Sequence, residues 1–150
     1  MVAPATWGVY HAYIRAVTDR RTEVVHQLVE MWNSGDLDGY LEALGPDFEF
    51  TPDPSFPDTG PYSGEELREW LREWQGTWQG NRFEVLGITD HGPAVTVDSR
   101  WHLIATGQGQ EVPVQDFTIV VWFDDDDQPL GMAAFFDRER ALEEAQRGTG

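Results

Sequence analysis

The residue best suited to acid/base chemistry in this sequence is Asp53, which lies in the segment Pro52-Asp53-Pro54-Ser55-Phe56-Pro57-Asp58. The prolines make this segment a stiff, irregular loop. Because Phe56 follows closely, we expect the Asp53 carboxylate to be partly removed from water, which would raise its pKa toward values that suit a general base. A solvated loop carboxylate is the alternative. We interpret Asp58 as a turn residue.

Gln115 is a candidate to polarise a substrate oxygen beside that base. It alternates with Phe117 and Ile119 along a predicted strand, so it faces the same side of the strand as these apolar residues. Asp116 is expected to face the other way. We therefore predict that Gln115 reaches a pocket.

Three further side chains are candidates for moving or donating a proton. His102 lies within a predicted strand, and an imidazole can shuttle protons near pH 7. Its neighbours at alternate positions, Asp98 and Arg100, favour a polar outer face or a dimer contact as the alternative. Tyr62 and Tyr40 carry hydroxyls that can donate into a pocket, with packing as the alternative. The predicted catalytic set is Asp53, Gln115, His102 and Tyr62.

The composition excludes several other chemistries. The chain has no Cys, and its ten basic residues are all Arg, so thiolate nucleophiles and lysine Schiff bases are ruled out. A formal charge of −17 with no basic patch argues against nucleic acids and anionic membranes as partners. The four His lack metal-ligand spacing, and Asp124 to Asp127 lacks the pattern of a calcium loop. We expect no cofactor and no metal, and we interpret the acidic run as a solvated hairpin tip.

The length of 150 residues, 40% of them hydrophobic, fits one globular domain. We assign residues 1–21 to an N-terminal extension with a loose helical pattern and residues 22–150 to the domain. No run approaches the roughly 20 apolar residues of a membrane span, and the first residues lack a signal-peptide pattern. We therefore expect a cytoplasmic protein.

Apolar periodicity predicts three helices in the first half of the chain. They cover Thr22 to Asn33, a short stretch after the N-cap Asp36, and a longer helix opened by a capping box of Ser63 and Glu66. One face of this longer helix carries Leu67, Trp70, Leu71, Trp74 and Trp78. These indoles either pack in the core or line an aromatic pocket.

The remainder alternates as strands. They are predicted over Asp47 to Thr51, Phe83 to Ile88, Ala94 to Thr106, Val112 to Phe123 and Leu130 to Phe136. In the fourth of these strands both faces are apolar, since Val120 and Trp122 alternate with Ile119 and Val121. An apolar second face suggests a partner that covers it, and we expect a homodimer.

Three stretches carry a recognisable pattern. The first stretch contains Val24-Val25, Trp32-Asn33-Ser34-Gly35-Asp36-Leu37-Asp38-Gly39 and Pro46-Asp47-Phe48-Glu49-Phe50. The second is Tyr62-Ser63-Gly64-Glu65-Glu66. The third contains Phe135-Phe136-Asp137-Arg138 and Ala141-Leu142. Over about residues 22–145 the chain resembles the nuclear-transport-factor-2-like superfamily, specifically its SnoaL-like branch of polyketide cyclases and ketosteroid isomerases. This fold hosts isomerases, cyclases, dehydratases, epoxide hydrolases and binding modules.

The resemblance can be followed residue by residue. The general base of the ketosteroid isomerases falls within one residue of Asp53. Their two oxyanion donors, a Tyr and a protonated Asp, align with Leu28 and Ile119, which have no polar hydrogen to donate. The resemblance implies Asp53 as a base without the familiar donors.

The epoxide-hydrolase-like members of the superfamily give a weaker match. They activate water with an Arg and an Asp two residues apart on a strand and with a second Asp on the last strand. Here Asp98 and Arg100 have that spacing in reversed order, and the last position is Ala134. Water activation for epoxide opening is therefore the third function considered.

We predict an α+β fold in which a cone-shaped, curved antiparallel sheet wraps around N-terminal helices, as in the cystatin-like or ketosteroid-isomerase-like α+β barrel. The leading prediction is a cofactor-independent isomerase, cyclase or dehydratase acting on an apolar cyclic or polyketide-like substrate. A non-catalytic ligand-binding or interaction module is the alternative. The predicted substrate-binding wall consists of Trp32, Phe56, Trp70, Trp74, Trp101, Phe117, Ile119 and Val121.

Overall fold

The computed structural model of the chain describes residues 20–56, 60–105 and 111–147. The predicted N-terminal extension lies almost wholly outside the described residues, and so does Asp58. Four helices occur in the described ranges: α1 over residues 20–34, α2 over Leu37–Leu44, α3 over Gly64–Thr77 and α4 over Arg138–Arg147. The first three confirm the helices predicted from periodicity, whereas α4 was not predicted.

A glycine-terminated turn joins α1 to α2. Gly35 has φ +80°, and its N–H donates to the Trp32 carbonyl at 3.1 Å while the Asp36 N–H donates to the Met31 carbonyl at 2.9 Å. These two bonds form a Schellman motif, which needs a left-handed residue and therefore favours glycine. Asp36 then caps α2 by accepting a hydrogen bond from the Gly39 N–H at 2.9 Å, as predicted.

In the described part of the chain, six strands form one mixed sheet. They are β1 (Glu49–Thr51), β2 (Tyr62–Ser63), β3 (Trp78–Asp90), β4 (Ala94–Ala105), β5 (Glu111–Phe123) and β6 (Pro129–Phe135), arranged in the order β2-β1-β6-β5-β4-β3. All neighbours are antiparallel except β1 and β6, which are parallel. The α+β architecture is confirmed, with one parallel pair that the prediction of an antiparallel sheet did not include.

One helix end was placed wrongly from the sequence. Trp78 was assigned to the third helix, but α3 ends at Thr77 and Trp78 begins β3. The pairing of β3 with β4 runs from Trp78 and Ala105 to Asp90 and Val95, with bulges in the register. The backbone hydrogen bonding between β3 and β4 outweighs the preference of the polar residues near position 80 for a turn.

The main core lies between one face of the sheet and helices α1 to α3. Val25, Leu28 and Trp32 line the inner side of α1 at helical spacing, and all three are buried. Val97 and Val121 meet them from β4 and β5. This alternation confirms the predicted inward face of both strands.

The second face of the sheet is covered by α4. Val120 is 0% exposed and belongs to a cluster with Phe135 and with Ala141 and Ala145 of α4. Trp122 packs against the same cluster. The apolar second face, from which we expected a dimer, is therefore covered by the chain's own helix, so this reason for a dimer does not hold.

An arginine connects α1 with two hairpins. Arg21 donates to Asp127 at 2.9 Å, to Asp90 at 3.1 Å and to the Gly92 carbonyl at 2.9 Å. The acidic tip is thus only partly solvated: residues 125 and 126 are exposed, whereas the Asp127 side chain is 14% exposed. The expectation of a wholly solvated tip is wrong for Asp127, because Arg21 pairs with it.

Candidate functional site

A cavity of about 90 Å³ lies between the concave face of the sheet and the helices. Its wall is almost entirely apolar. All of the predicted substrate-binding residues lie in this wall: Trp32, Phe56, Trp70, Trp74, Trp101, Phe117, Ile119 and Val121. That they bind a substrate remains a prediction.

Stacked aromatic rings form one side of the cavity. Trp74 stacks on Trp101 with ring centroids 4.9 Å apart, and Trp101 stacks on Phe83 at 5.2 Å. Phe56, from the loop after β1, stacks on Trp74 at 6.0 Å and meets Phe136 edge-on at 5.8 Å. The array gives a planar cyclic ligand flat surfaces to stack against.

The present volume of the cavity is small for a ligand site. Typical small-molecule pockets enclose about 300–1,000 Å³, and an engineered cavity of about 150 Å³ holds benzene. A cyclic ligand therefore needs some aromatic side chains to move aside. Phe136 is 39% exposed and contacts Phe56, so these two rings lie where the cavity meets solvent.

Asp53 provides the carboxylate in the described wall of the cavity. It is 8% exposed, and it accepts hydrogen bonds at 2.8 Å from the Ser55 N–H and from the Phe136 N–H. Burial alone would raise the pKa of Asp53, but the hydrogen bonds from Ser55 and Phe136 and the charge of Arg140 outweigh it, leaving the pKa below its ordinary value. The expected upward shift is therefore wrong, because the Ser55 side chain and the two backbone N–H groups stabilise the charged form.

The other predicted catalytic residues do not join Asp53 in the wall. His102 lies on the opposite face of the sheet, with Nε2 at 3.4 Å from Glu84 Oε2. Gln115 pairs with Trp101 in the β4–β5 register but is exposed. Tyr62 stacks on Trp70 at 5.2 Å, outside the cavity wall. Alternation assigns residues to a face of a strand, but it does not show how far helices cover that face.

Tyr40 is a polar wall residue that was left out of the predicted set. Burial raises the pKa of its phenol above the ordinary value, so the group stays protonated. The hydroxyl donates to the thioether sulfur of Met132 at 3.9 Å, a weak acceptor. The sequence did signal this position, since Tyr40 shares the apolar face of α2 with Leu37 and Leu44.

Asn81 is a second polar side chain that sequence reasoning missed. Its Oδ1 accepts hydrogen bonds from the indole nitrogens of Trp101 at 2.6 Å and Trp32 at 3.2 Å. Its Nδ2 is buried and has no hydrogen-bond partner among the described residues. Asn81 falls between the predicted helix and the predicted strand over Phe83 to Ile88, and its polar neighbours Gln79 and Arg82 gave no signal of a buried position.

The positions implied by the family resemblance can now be compared with the structure. Leu28 and Ile119, which the resemblance aligns with the two donors of the ketosteroid isomerases, lie in the cavity wall. Asp98 binds Thr118 at 2.9 Å and Arg138 of α4 at 3.0 Å, and Arg100 binds Asp116 at 2.8 Å. These pairs lie on the outer face, away from the cavity.

Comparison with known proteins establishes the family. A model of the SnoaL-like domain matches residues 25–128. The chain belongs to the SnoaL-like domain family. No curated protein matches the chain significantly.

Solved structures share the SnoaL-like fold at low sequence identity. PrhC from Penicillium brasilianum NBRC 6234 is 18% identical with a TM-score of 0.68, over 88% of this chain and 95% of that one. An NTF2-like protein of unknown function from Burkholderia pseudomallei K96243 is 20% identical with a TM-score of 0.67, over 87% and 98%. TerC, co-crystallised with polyporic acid, is 19% identical with a TM-score of 0.66, over 85% and 98%. These likenesses confirm the fold expected for the SnoaL-like domain.

Among the described residues, no helix is long and apolar enough to cross a bilayer.

Proposed function

We propose that this SnoaL-like protein binds an apolar cyclic or polyketide-like small molecule in the aromatic cavity and acts on it as a cofactor-independent isomerase, cyclase or dehydratase. The observation that carries the proposal is that one carboxylate, Asp53, lies in the described part of a wall that is otherwise uncharged and mostly apolar and aromatic. Co-crystallisation of TerC with polyporic acid supports a small-molecule pocket in this fold.

The wall favours an uncharged ligand. A planar molecule that lies against the aromatic rings gains dispersion contacts and buries its apolar surface. The described wall contains no basic side chain that could neutralise an anion. The negative charge of Asp53 disfavours an anion further. The ligand is therefore a neutral ring system that pushes Phe56 or Phe136 aside as it enters.

Asp53 would act as the base. A carboxylate has about four lone-pair sites. The two backbone N–H groups occupy two of them and the Ser55 hydroxyl a third, so one site remains that can take a proton. In the isomerisation of a β,γ-unsaturated ketone, Asp53 removes a proton from the carbon between the carbonyl and the C=C bond, and the C–H electron pair moves to form a dienolate. The protonated Asp53 then returns the proton to the far carbon of the former C=C bond, so that the new C=C bond is conjugated with the carbonyl. The Tyr40 hydroxyl, which lies in the same wall, would donate a hydrogen bond to the enolate oxygen.

A non-catalytic ligand-binding module is the second candidate. Two observations favour it. Hydrogen bonds from the Ser55 side chain and from the Phe136 and Ser55 N–H groups lower the pKa of Asp53, which weakens it as a base. Leu28 and Ile119 leave the positions of the ketosteroid-isomerase donors apolar. Epoxide opening has less support, since Asp98 and Arg100 are paired on the outer face.

Deuterium exchange at the acidic C–H groups of 2-tetralone, followed by NMR, separates the two candidates. We expect the wild-type protein to bind 2-tetralone and accelerate its exchange, and D53N to bind it within about twofold while losing the acceleration. D125N, the same change at the exposed hairpin tip, should behave as wild type. Binding without acceleration would support the binding module, and absence of binding would contradict the proposed substrate class.

The homodimer and the cytoplasmic location remain predictions. Since α4 covers Val120, a dimer would have to use another surface. Light scattering tests it: a mass near 17.0 kDa at micromolar concentration would contradict the dimer.

A further inference from the structure

Asn81 joins two tryptophans that come from different elements. Its Oδ1 accepts hydrogen bonds from the indole N–H of Trp101 on β4 at 2.6 Å and from that of Trp32 on α1 at 3.2 Å. Both indoles lie in the cavity wall, whereas Asn81 lies behind them on β3. The amide therefore fastens α1 to the sheet through two rings that line the cavity.

The two indole bonds determine how the Asn81 side chain is oriented. An indole N–H can only donate, so both tryptophans require the oxygen end of the amide. Nδ2 has no hydrogen-bond partner among the described residues, so no competing contact there turns the amide the other way. The oxygen uses both of its lone pairs on the indoles, and a shift of either ring breaks a hydrogen bond.

A row of aromatic rings runs from this anchored pair to the surface. Trp101 stacks on Trp74 with ring centroids 4.9 Å apart, and Trp74 stacks on Phe56 at 6.0 Å. Phe56 in turn meets Phe136 edge-on at 5.8 Å. Trp32, at the inner end, is 5% exposed, whereas Phe136, at the outer end, is 39% exposed. Phenyl rings have no polar atoms, so packing alone holds the two outer rings.

The two ends of this row differ in what a displacement costs. Moving Trp32 or Trp101 breaks a bond to Asn81 and leaves an indole N–H inside the protein without an acceptor. Moving Phe56 or Phe136 breaks ring contacts only, and this end can turn toward solvent. A cavity of about 90 Å³ that must enlarge for a cyclic ligand therefore enlarges at its outer end.

Asp53 lies at this outer end. Its carboxylate accepts hydrogen bonds at 2.8 Å from the Phe136 N–H and from the N–H of Ser55, which precedes Phe56 in the chain. A ligand that displaces either phenyl ring is therefore brought next to the carboxylate.

We propose that Asn81 is a positioning residue. By holding Trp32 and Trp101 in place, it confines the ligand to the outer part of the cavity, beside Asp53. Without this anchor the ligand also settles between the loosened indoles, at the far end of the row from the carboxylate. The inference rests on the proposed function, since it requires a ligand in the cavity and a base that acts on it.

Three variants test this role through the deuterium exchange of 2-tetralone. N81L has a side chain of similar volume but no acceptor, and N81D keeps an oxygen for both indoles. A141L, at the buried face of α4, controls for a loss of stability alone. We expect N81L to lower the exchange rate at saturating 2-tetralone by about tenfold, with a Kd within about threefold of wild type. N81D should restore most of the rate, and A141L should stay within about twofold of wild type.

Solvent exchange of the indole protons reports on the two hydrogen bonds themselves. In the ¹⁵N-labelled full chain, the Nε1–H signals of Trp32 and Trp101 are assigned by their loss in W32F and W101F. We expect both protons to exchange about tenfold faster in N81L than in wild type, because they lose their acceptor. In wild type, binding of 2-tetralone should leave their exchange unchanged and shift the backbone N–H signal of Phe136.

The outcomes distinguish this inference from the proposed function. If the two indole protons exchange faster when 2-tetralone binds to wild type, the cavity opens at its inner end and the role of Asn81 is wrong. An unchanged rate in N81L, or an equal loss in A141L, would overturn it as well. If wild type binds 2-tetralone without accelerating its exchange, the proposed catalysis fails, while the indole protons still decide which end opens. If 2-tetralone does not bind at millimolar concentration, both proposals are overturned. Should N81L fail to fold, the titration of wild type decides.

Discussion

At the scale of single residues, Asp53 combines a structural and a chemical position. Its two oxygens tie the loop after β1 to the end of β6 through the Ser55 and Phe136 N–H groups, and the same side chain lies in the cavity wall. The bonds that hold it in place are also the cause of its lowered pKa. A base at this position is well oriented but weak, so any catalysis depends on a substrate whose proton is already acidic.

This dual position predicts a pH-dependent effect of D53N on stability. The amide can accept through one oxygen only, so one backbone N–H loses its partner, and we expect D53N to lower the free energy of unfolding by about 1–3 kcal/mol at pH 7. Because the folded-state pKa of Asp53 is lowered, its contribution is complete above the unfolded pKa of about 3.9 and is lost as the pH falls through the folded pKa. Urea unfolding at pH 7, 5, 4 and 3 measures this, and the gap between wild type and D53N should narrow below about pH 4. A gap that stays constant across this range, or one that D125N reproduces, would contradict the role of Asp53.

At the scale of elements, the helices, the strands and the face that each residue occupies could be predicted from the sequence, because they depend on local periodicity and turn chemistry. The predicted wall residues, such as Trp74 and Phe117, lie in the cavity because helical and strand spacing determine which face each occupies. His102, by contrast, was proposed as catalytic from its residue type, although its alternation already put it on the outer face. The cover provided by α4 could not be predicted, since nothing local in the sequence shows which exposed strand face a terminal helix will pack on.

Because α4 packs closely on the sheet, we expect a larger side chain at this contact to destabilise the protein. Ala141 is 0% exposed and packs with Val120 and Phe135, so A141L forces the helix away from the strands. We expect the free energy of unfolding to fall by about 1–3 kcal/mol. The same change at exposed Ala43, A43L, should stay within about 0.5 kcal/mol. Urea unfolding compares the two variants, and equal effects would show that α4 packs loosely.

At the scale of the whole molecule, the excess of acidic side chains creates repulsion across the protein surface, and a few Arg–Asp ion pairs offset part of it. The chain carries 27 acidic side chains against ten Arg. Arg21 joins α1 to both hairpins through Asp90 and Asp127, and Arg138 joins α4 to β4 through Asp98. Arginine thus connects elements distant in sequence, while the remaining acidic groups repel one another across the fold.

That balance predicts that added salt stabilises the protein. Salt screens two opposing interactions in this protein. With a net charge of −17, the repulsion among carboxylates that salt relieves is larger than the attraction that it weakens in a few exposed ion pairs, each worth about 0–1 kcal/mol. The Debye length falls from about 30 Å at 0.01 M to about 10 Å at 0.1 M, so repulsion between distant carboxylates is screened first, whereas the close Arg21 contacts, at side chains 13–18% exposed, are screened least. We expect Tm to rise by about 3 °C over this range, corresponding to a gain of about 1 kcal/mol. Choline chloride at the same ionic strength should give the same rise as NaCl. A rise with NaCl alone would instead indicate sodium binding at the acidic tip, and a fall in Tm would show that the ion pairs outweigh the repulsion.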